Sequence, residues 1–340
     1  MLNEVNRLKV LVTGGAGYIG SHTCKALRQN GHQPVVFDNL ATGNKSLVKY
    51  GPFVHGDIRD SLALTEAIKA HQVEAVIHFA ACAYVGESMV KPRLYYNNNV
   101  LGTLSLLDVM QEMEITKLVF SSSCATYGIP ESIPISEDSP QRPINPYGYT
   151  KLVGEHMMRD VVQGEKKLNC IALRYFNASG ADPAGEIGEL HDPETHLIPL
   201  VLLALSGKND NFRIMGDDYP TPDGTCIRDY LHVTDLANAH VKALDKLGPE
   251  PNFEAYNLGT GNGVSVKQLV EIAQQVTGVK LSAETAPRRP GDPPELVADP
   301  KKANEQLGWY PEFSDIETIL ATANQWMKSE ENIFRFMGIQ

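Results

Sequence analysis

The sequence predicts a doubly wound α/β fold, in which helices cover both faces of a parallel sheet. Over the first 180 residues of this 340-residue chain, short apolar runs rich in β-branched residues alternate with helical segments. These runs lack the strict polar alternation of a half-exposed strand, which is typical of strands buried on both faces. A glycine-rich turn also follows the first run directly. Both observations favour a parallel sheet with a ligand crevice at one edge.

Residues 1–177 contain the predicted strands of the main sheet. After Asn177 the sequence is rich in Gly, Pro, Asp and His, which is typical of loops broken by short helices. The stretch YNLGTGNG (256–263) again predicts a strand and a glycine turn, so we expect a return to the main sheet before helices at 265–277 and 300–328. The six earlier strands are predicted at KVLVTG (9–14), PVVFDN (34–39), FVHGDI (53–58), AVIHFAA (75–81), KLVFSSS (117–123) and NCIALRYFN (169–177).

Composition and charge exclude several classes of partner. The formal net charge of -11 leaves no basic surface for a phosphate backbone or an anionic bilayer, so we expect no nucleic acid and no membrane partner. The first ten residues lack the apolar stretch of a signal peptide, and the longest apolar run, LIPLVLLAL (197–205), is too short to span a bilayer. The five cysteines are widely spaced without a C-x-x-C pair, which predicts reduced thiols in a cytoplasmic protein.

The stretch TGGAGYIGSH predicts a dinucleotide site. It sets Gly14, Gly17 and Gly20 directly after the first strand and at the start of the first helix, where glycines permit a tight turn and free N–H groups face a pyrophosphate. Asp38, at the end of the second strand, is expected to bond the adenosine ribose hydroxyls. Because a 2'-phosphate there would meet a like charge and no arginine lies nearby, NAD is favoured over NADP.

These signals together predict a Rossmann domain joined to a smaller substrate domain. We expect the NAD-binding domain to comprise residues 1–177 plus about 230–262. The substrate domain would comprise about 178–229 and 263–340, and it would therefore be discontinuous in sequence. The chain length, at ~150 residues per domain, agrees with two domains.

The stretch NPYGYTK (145–151) predicts a catalytic base. Residues four apart share one helix face, so Tyr147 stands beside Lys151 while Tyr149 points elsewhere. A phenol that acts as a base near neutral pH needs a pKa shift of about three units, roughly 4 kcal/mol, whereas one charge ~4 Å away in water supplies only ~1 kcal/mol. The pair therefore needs a sheltered site and a second positive charge, which NAD⁺ carries. Ser123, at the end of a predicted strand, can bond the hydroxyl that Tyr147 deprotonates.

With these motifs the chain resembles the extended short-chain dehydrogenase/reductase family, and within it the enzymes that epimerise UDP-sugars at C4. The resemblance runs nearly end to end. The stretches that carry it are TGGAGYIGSH, DNL, GDIRD, HFAA, VGES, YYNNNV, FSSS, PYGYTKL, LRYFN, DYPTPDGTCIRDYLHV and RRPGDPP.

The resemblance implies a role for each matching position. Tyr147 would be the base, Lys151 would tune it and grip the nicotinamide ribose, and Ser123 would assist. The other residues implied to contact NAD, besides the three glycines, are Tyr18, Ile19, Asp38, Asn39, Asp57, Ile58, Phe79, Ala80, Asn99 and Phe176. Those implied to hold the uridine diphosphate are Asn177, Arg228, Arg289 and Asp292.

The reaction implied by the resemblance is the interconversion of UDP-glucose and UDP-galactose. Tyr147 would take the proton of the 4-hydroxyl while C4 passes a hydride to NAD, and the transient 4-keto sugar would turn and regain the hydride on its other face. UDP-N-acetylhexosamines and UDP-pentoses remain alternative substrates. A dehydratase of this family usually has an Asp-Glu pair where this chain has Cys124 and Ala125; a decarboxylase and a non-catalytic NAD-binding regulator are further alternatives.

Three positions depart from the family pattern. Ala83 stands where many members have a lysine near the cofactor phosphates, and its loss would loosen NAD. His196 stands where others have an asparagine beside the nucleotide. Leu296 replaces a bulky aromatic residue near the sugar, and a smaller side chain there would admit N-acetylated sugars.

Two further expectations concern assembly and metals. The helix around YYNNNVLGTLSLLDVM (95–110) and the helix continuing from Lys151 are apolar beyond one face. In this family such helices pair as a four-helix bundle, so the resemblance implies a homodimer. The stretch HDPETH (191–196) offers His191 and His196, but with no further ligand cluster in the sequence we predict no metal site.

Overall fold

The computed structural model describes residues 7–289 and 292–329. Its strands are β1 (Lys9–Thr13), β2 (Gln33–Asp38), β3 (Phe53–His55), β4 (Ala75–His78), β5 (Lys117–Ser123), β6 (Asn169–Tyr175), β7 (Asn177–Ser179), β8 (Arg213–Met215), β9 (Ile227–Arg228), β10 (Tyr230–His232), β11 (Asn252–Leu258), β12 (Val264–Ser265), β13 (Glu284–Ala286) and β14 (Glu295–Leu296). Its α-helices are α1 (Tyr18–Gln29), α2 (Ser61–His71), α3 (Val85–Val90), α4 (Pro92–Tyr95), α5 (Gly102–Glu112), α6 (Pro146–Glu165), α7 (Leu197–Leu205), α8 (Val233–Lys246), α9 (Val266–Thr277), α10 (Lys301–Leu307) and α11 (Ile316–Lys328). A π-helical stretch, Tyr96–Leu101, joins α4 to α5.

The central sheet confirms the predicted doubly wound fold. Within the described residues, seven parallel strands run in the order β11-β6-β5-β4-β1-β2-β3. The order reverses at β1, which pairs with β2 on one side and β4 on the other. Ligands bind beyond the carboxyl ends of strands at such a reversal, so the loops after β1 and β4 border the crevice.

Burial on both faces explains why the strands read as continuous apolar runs. Along β1, Val10 and Val12 pack into the core under α1, α8 and α10, whereas Leu11 packs into the core under α2, α5 and α6. Successive side chains of a strand point to opposite faces, so β1 is apolar on both faces from Val10 to Val12. The predicted run at 53–58 is wrong beyond His55, because β3 is an edge strand and leaves the sheet at Gly56.

The region after Asn177 has its own core. Small sheets formed by β7–β10 and β12–β14 surround an apolar cluster that includes Ile198, Leu269 and Trp326. The chain returns to the main sheet as predicted, with β11 beside β6. The helix predicted at 300–328 is two helices, α10 and α11, since Gly308 adopts a positive φ of 58° at the end of α10.

Part of the last segment packs against the main sheet. Trp309, which follows α10, is fully buried in the same core as α1 and α8, and its indole N–H donates to the Asp235 carbonyl at 2.9 Å. The stretch 301–309 thus contacts the dinucleotide half of the molecule. The domain boundaries themselves remain a prediction. None of the described helices combines the length and apolarity that crossing a bilayer requires.

A buried ion pair fixes α6 against the sheet. The Arg174 guanidinium on β6 donates from Nε and Nη2 to the two oxygens of Glu155 at 2.9 and 2.7 Å, and both side chains are almost fully buried. Ser122 on β5 donates to the same carboxylate at 2.6 Å. Burial opposes ionisation of Glu155, but the hydrogen bonds and charge of Arg174 lower its pKa.

We expect Glu155→Gln to destabilise the protein by about 3–5 kcal/mol, because the substitution leaves the Arg174 charge buried without its counter-ion. The measurement is the urea unfolding midpoint of the ligand-free protein. Glu165→Gln, at the exposed end of the same helix, is the matched control and should stay within about 0.5 kcal/mol of wild type. Equal shifts in the two variants would contradict the role of the pair.

Candidate active site

The turn after β1 presents backbone to the crevice. Gly14 has a φ of +74°, and a Cβ there would lie 2.7 Å from the Ala80 nitrogen. A Cβ on Gly20 would lie 2.2 Å from the Gly14 carbonyl oxygen, so both positions require glycine. Helix α1 begins at Tyr18 with Gly17 as its N-cap and no side-chain cap. Its first N–H groups therefore suit an anionic ligand, and this cradle fits a dinucleotide pyrophosphate.

Asp38 lies beside this turn with a fixed orientation. Its carboxylate accepts from the Ala16 N–H at 3.0 Å and from the Leu40 N–H at 2.8 Å. Burial raises the pKa of Asp38, and these two backbone hydrogen bonds act against that rise. The oxygens therefore face the turn as acceptors, which suits ribose hydroxyls.

The edge near Asp38 holds an arginine that the sequence analysis missed. Asn39 donates to Asp57 at 3.0 Å, and Arg59 forms a two-point ion pair with Asp57 at 2.8 and 2.7 Å. Hydrogen bonds from Arg59 hold the pKa of Asp57 well below its usual range. Because Asp57 already neutralises Arg59, the structure adds no free cation for a 2'-phosphate beside Asp38 among these residues.

The other residues implied to contact NAD follow the strands of the main sheet in the chain. The N–H groups of Phe79 and Ala80, just after β4, both donate to the Thr13 carbonyl at 2.9 and 3.1 Å. Tyr18 donates to the Gly180 carbonyl at 2.5 Å, which links α1 to the second half of the chain. Ile58 and Phe176 are buried, and Ile19 packs against the core around β1.

Asn99 is engaged with protein groups. Its side chain accepts from the Cys82 N–H at 2.8 Å and donates to the Cys82 carbonyl at 3.0 Å and to the Thr150 hydroxyl at 2.9 Å. It belongs to the π-helical stretch, a feature frequent at functional sites. In this structure the amide fixes the loop after β4 to α6.

Ser123, Tyr147 and Lys151 meet at the carboxyl end of β5. All three are at least nine-tenths buried, and the Tyr147 phenol is hydrogen-bonded to Ser123. Lys151 Nζ lies 5.9 Å from the centre of the Tyr147 ring and donates to the Ser121 carbonyl at 2.6 Å. Tyr149 is 47% exposed, in agreement with the helical spacing. Asn145 caps this helix by accepting from the Gly148 N–H at 2.8 Å, with Pro146 in the first turn.

Burial shifts the pKa values of Tyr147 and Lys151 in opposite directions in the ligand-free protein. It raises the pKa of Tyr147 to about 12, although the Ser123 hydrogen bond acts in the opposite direction. It lowers the pKa of Lys151 to about 7. The chain alone therefore does not hold a phenolate at neutral pH, and an additional positive charge inside the pocket is required.

The residues implied to hold the diphosphate are only partly brought together. Arg228 is buried and forms an ion pair with Asp292, and its Nη1 also donates to the Ile227 carbonyl at 2.8 Å. Asn177 begins β7, and its N–H donates to the Asp229 carbonyl at 3.0 Å. Arg289 lies on the surface. Within the stretch RRPGDPP (288–294), residues 290–291 lie outside the described residues.

The three departures from the family pattern lie in different surroundings. Ala83 is exposed, and Leu296 packs against a cluster that contains Cys124 and Phe176. His196 forms ion pairs with Glu189 at 2.6 Å and Glu194 at 3.2 Å.

The spacing of the two histidines of HDPETH does not show that these carboxylates lie beside them. The spacing of acidic residues in a loop carries no signal of convergence, so no pattern in the sequence would have revealed the cluster.

Comparison with protein-family models gives one family over most of the chain. Residues 10–259 match the NAD dependent epimerase/dehydratase family. A UDP-glucose 4-epimerase of Halalkalibacterium halodurans is 50% identical over 321 residues, which cover 94% of this chain and 96% of that protein.

Solved structures of similar chains share the whole fold. A UDP-glucose 4-epimerase from Brucella ovis in complex with NAD is 54% identical, with a TM-score of 0.89 over 93% of this chain and 97% of that one. A UDP-glucose 4-epimerase from Stenotrophomonas maltophila, with bound NAD and formylated UDP-arabinopyranose, is 39% identical, with a TM-score of 0.91 over 95% and 98%.

We expect burial of Lys151 to give the ligand-free protein a distinct pH dependence. Its pKa is about 7 in the folded protein, compared with about 10.4 in an unfolded chain. Between these values the unfolded chain binds more protons, so rising pH favours the folded state by at most about 1.4 kcal/mol per pH unit. Lys151→Met removes this contribution. The unfolding free energy of wild type should therefore rise relative to that of the variant as the pH rises from 7 to about 8.5.

The measurement is the difference in unfolding free energy between the two proteins at each pH, because titrating groups remote from Lys151 contribute equally to both. Lys69→Met, at an exposed position on α2, is the control and should differ from wild type by a constant amount. A constant difference for Lys151→Met as well would show that the amine is not buried.

Proposed function

The chain belongs to the NAD dependent epimerase/dehydratase family, and we propose that it interconverts UDP-glucose and UDP-galactose by inverting the configuration at C4. The observation that carries the proposal is the buried set of Ser123, Tyr147 and Lys151, which lies at the same sheet edge as the glycine turn after β1. A base at this edge can reach a sugar hydroxyl beside a dinucleotide.

Bound NAD would accept a hydride from C4 and return it. The residues proposed to hold it are the glycine turn, which leaves room for the pyrophosphate, and Asp38, whose oxygens accept from the ribose. Phe79 and Ala80 line the crevice at the end of β4, where Gly14 approaches their backbone closely. Lys151, buried beside Tyr147, would donate to the second ribose.

Tyr147 is proposed to take the proton of the 4-hydroxyl as C4 becomes a carbonyl, and to return it after the sugar turns. Ser123 keeps the phenolic oxygen in place by hydrogen bonding. Lowering the phenol pKa from about 12 to near neutrality requires roughly 7 kcal/mol of favourable interaction with the phenolate. Positive charge on Lys151 and on the oxidised cofactor in the same desolvated pocket is the source we propose, since charges interact strongly where water is excluded.

Inversion requires a firm grip on the nucleotide and a loose one on the hexose. Arg228 is proposed as the principal diphosphate ligand, because its guanidinium is buried and oriented by Asp292 and by backbone carbonyls. A guanidinium held in this way matches phosphate oxygens in two-point contacts. Asn177, Arg289 and Asp292 are proposed to complete the nucleotide contacts.

Tolerance for other UDP-sugars is a finer part of the proposal. Leu296 packs beside Phe176 and Cys124, and its side chain is smaller than an aromatic ring at this position. UDP-N-acetylhexosamines and UDP-pentoses thus remain candidate substrates. A dehydratase is disfavoured because Cys124 and Ala125 supply no carboxyl group to eliminate water.

We expect the purified protein to convert UDP-galactose to UDP-glucose without added NAD. Tyr147→Phe should lower kcat by about 100- to 10,000-fold, because the proton acceptor is lost while the ring remains. Tyr149→Phe, on the exposed face of the same helix, is the matched control and should keep activity within a few-fold of wild type. Products are identified by chromatography and NMR.

The same assay with UDP-N-acetylgalactosamine and UDP-xylose decides the sugar class. Turnover of one of these in place of UDP-galactose would move the assignment to that epimerase. A stable 4-keto-6-deoxy product would support the dehydratase, and bound NAD without any turnover would support the regulator.

We also propose a homodimer. More than half of the large apolar side chains exposed in the described residues lie between Val85 and Leu104, on α3, α4, the π-helical stretch and α5. They are Val85, Met89, Val90, Leu94, Tyr96, Leu101 and Leu104. Tyr149 on the adjacent α6 is exposed as well. An apolar surface of this kind favours a helical interface between two copies.

We expect wild type to have twice the chain mass by light scattering at micromolar concentration. Leu104→Glu should shift it to the monomer mass, because a carboxylate would be buried without a partner at the interface. Leu62→Glu, 75% exposed on α2, is the control and should leave the mass unchanged. A monomeric wild type would refute the dimer without bearing on the reaction.

A cytoplasmic location is proposed on the state of the thiols. All five cysteines are free, and Cys24, Cys124, Cys170 and Cys226 are buried. Buried reduced thiols are typical of proteins in a reducing compartment.

A further inference from the structure

Four potential metal ligands converge in the loop between β7 and α7. They are Glu189, His191, Glu194 and His196, and one ligand atom from each lies within 4.8 Å of the others. Both histidines approach Glu189 Oε1 through Nδ1, at 2.9 Å for His191 and 2.6 Å for His196. Two imidazoles and two carboxylates form a donor set that zinc and similar transition ions bind well.

The spacing of these atoms is close to that of a tetrahedral site. Bonds of about 2.0–2.2 Å place tetrahedral ligand atoms about 3.3–3.6 Å apart. Besides the two contacts with Glu189, His196 Nδ1 lies 3.2 Å from Glu194 Oε1, and His191 Nδ1 lies 3.9 Å from Glu194 Oε2. To reach these distances, His196 Nδ1 must move about 0.7 Å away from Glu189 Oε1, and one Glu194 oxygen must replace the two that these contacts use.

A buried oxygen in the cluster lacks a hydrogen bond. The Glu194 side chain is only 6% exposed, and its Oε1 accepts from the N–H groups of Thr195 and His196. Its Oε2 is shielded from solvent and has no hydrogen-bond donor among the described residues, although it faces His191. A buried carboxylate oxygen without a partner is costly, and a bound cation would satisfy it.

The backbone around the cluster is anchored independently of the four side chains. The Trp326 indole N–H on α11 donates to the Glu189 carbonyl at 3.0 Å, and His196 is the N-cap of α7. The Tyr84 ring lies 5.9 Å from the His191 ring and 6.2 Å from the His196 ring. The His196 side chain is 49% exposed, which leaves an entry path for an ion.

We propose that Glu189, His191, Glu194 and His196 bind one divalent first-row transition-metal ion, with Zn²⁺ as the probe. The ion would cross-link the loop of residues 189–196, which ends at the N-cap of α7, beside Tyr18 and Tyr84. This site shares no residue with the set proposed for the reaction at C4, although the resemblance sets His196 beside the nucleotide. Its failure would leave the epimerase proposal intact, and the reverse holds as well.

The test is zinc binding by the full-length protein after treatment with a chelator. We expect about one zinc per chain by titration calorimetry, retained through desalting and counted by mass spectrometry. Glu194→Gln keeps the shape of the side chain but removes the charge, and it should weaken zinc binding at least about tenfold. His191→Ala should do the same.

The matched control is the double variant His71→Ala with Glu66→Gln, which removes the same residue types from α2. It should bind zinc as wild type does. Absence of retained zinc in wild type, or binding that Glu194→Gln leaves unchanged, would overturn the proposal.

A second measurement does not depend on variants that fold poorly. Wild type loaded with Co²⁺ should show the intense visible absorption of a four-coordinate ion, and added Zn²⁺ should abolish it. The weak spectrum of six-coordinate Co²⁺ would overturn the proposal, because it would indicate nonspecific binding at the surface and not by these four ligands.

Discussion

The active site depends on an ammonium group that the fold buries without a carboxylate beside it. Among the described residues, Lys151 donates its hydrogen bond to the neutral Ser121 carbonyl, and its nearest aromatic neighbour is Phe120 at 5.1 Å. A charge in this environment is unfavourable, which is why its pKa falls to about 7. The parallel sheet and the buried pair of Glu155 and Arg174 hold α6 in this position despite the cost. The ion pair of Glu155 thus stabilises α6 one helical turn away from Lys151, whose burial destabilises it.

The parallel sheet was predictable because strands buried on both faces have continuous apolar sequences. The strand at 117–123 was predicted with the bounds that the structure has, and the final strand was placed within a few residues. The boundaries that failed have different causes. The end of β3 is set by its position at the sheet edge, whereas α10 ends at Gly308, after which Trp309 packs into the core.

Some features of the candidate site are set by local sequence, and others are set by how loops fold. The glycine turn and the spacing of Tyr147 and Lys151 are local, so a single segment of sequence specifies their geometry. The ion pair of Arg59 with Asp57 was not predictable, because it depends on a loop conformation that leaves no periodic pattern in the sequence. The convergence of Glu189 and Glu194 on two histidines is likewise a property of a folded loop. Groups that belong to one contiguous motif were therefore predictable, whereas side-chain pairs that a folded loop brings together were not.

The opposite pKa shifts of Tyr147 and Lys151 have a consequence for control of the reaction. One cause, removal from water, leaves the phenol protonated and the amine only partly charged in the ligand-free protein. A phenolate in the empty pocket would be a strong base exposed to any small acid that entered. A positive ligand in the same pocket reverses the balance for the phenol, since the phenolate then has a partner in a medium of low dielectric. Desolvation therefore has two effects at once: it suppresses the base when the cofactor is missing, and it strengthens the interaction that creates the base when the cofactor is present.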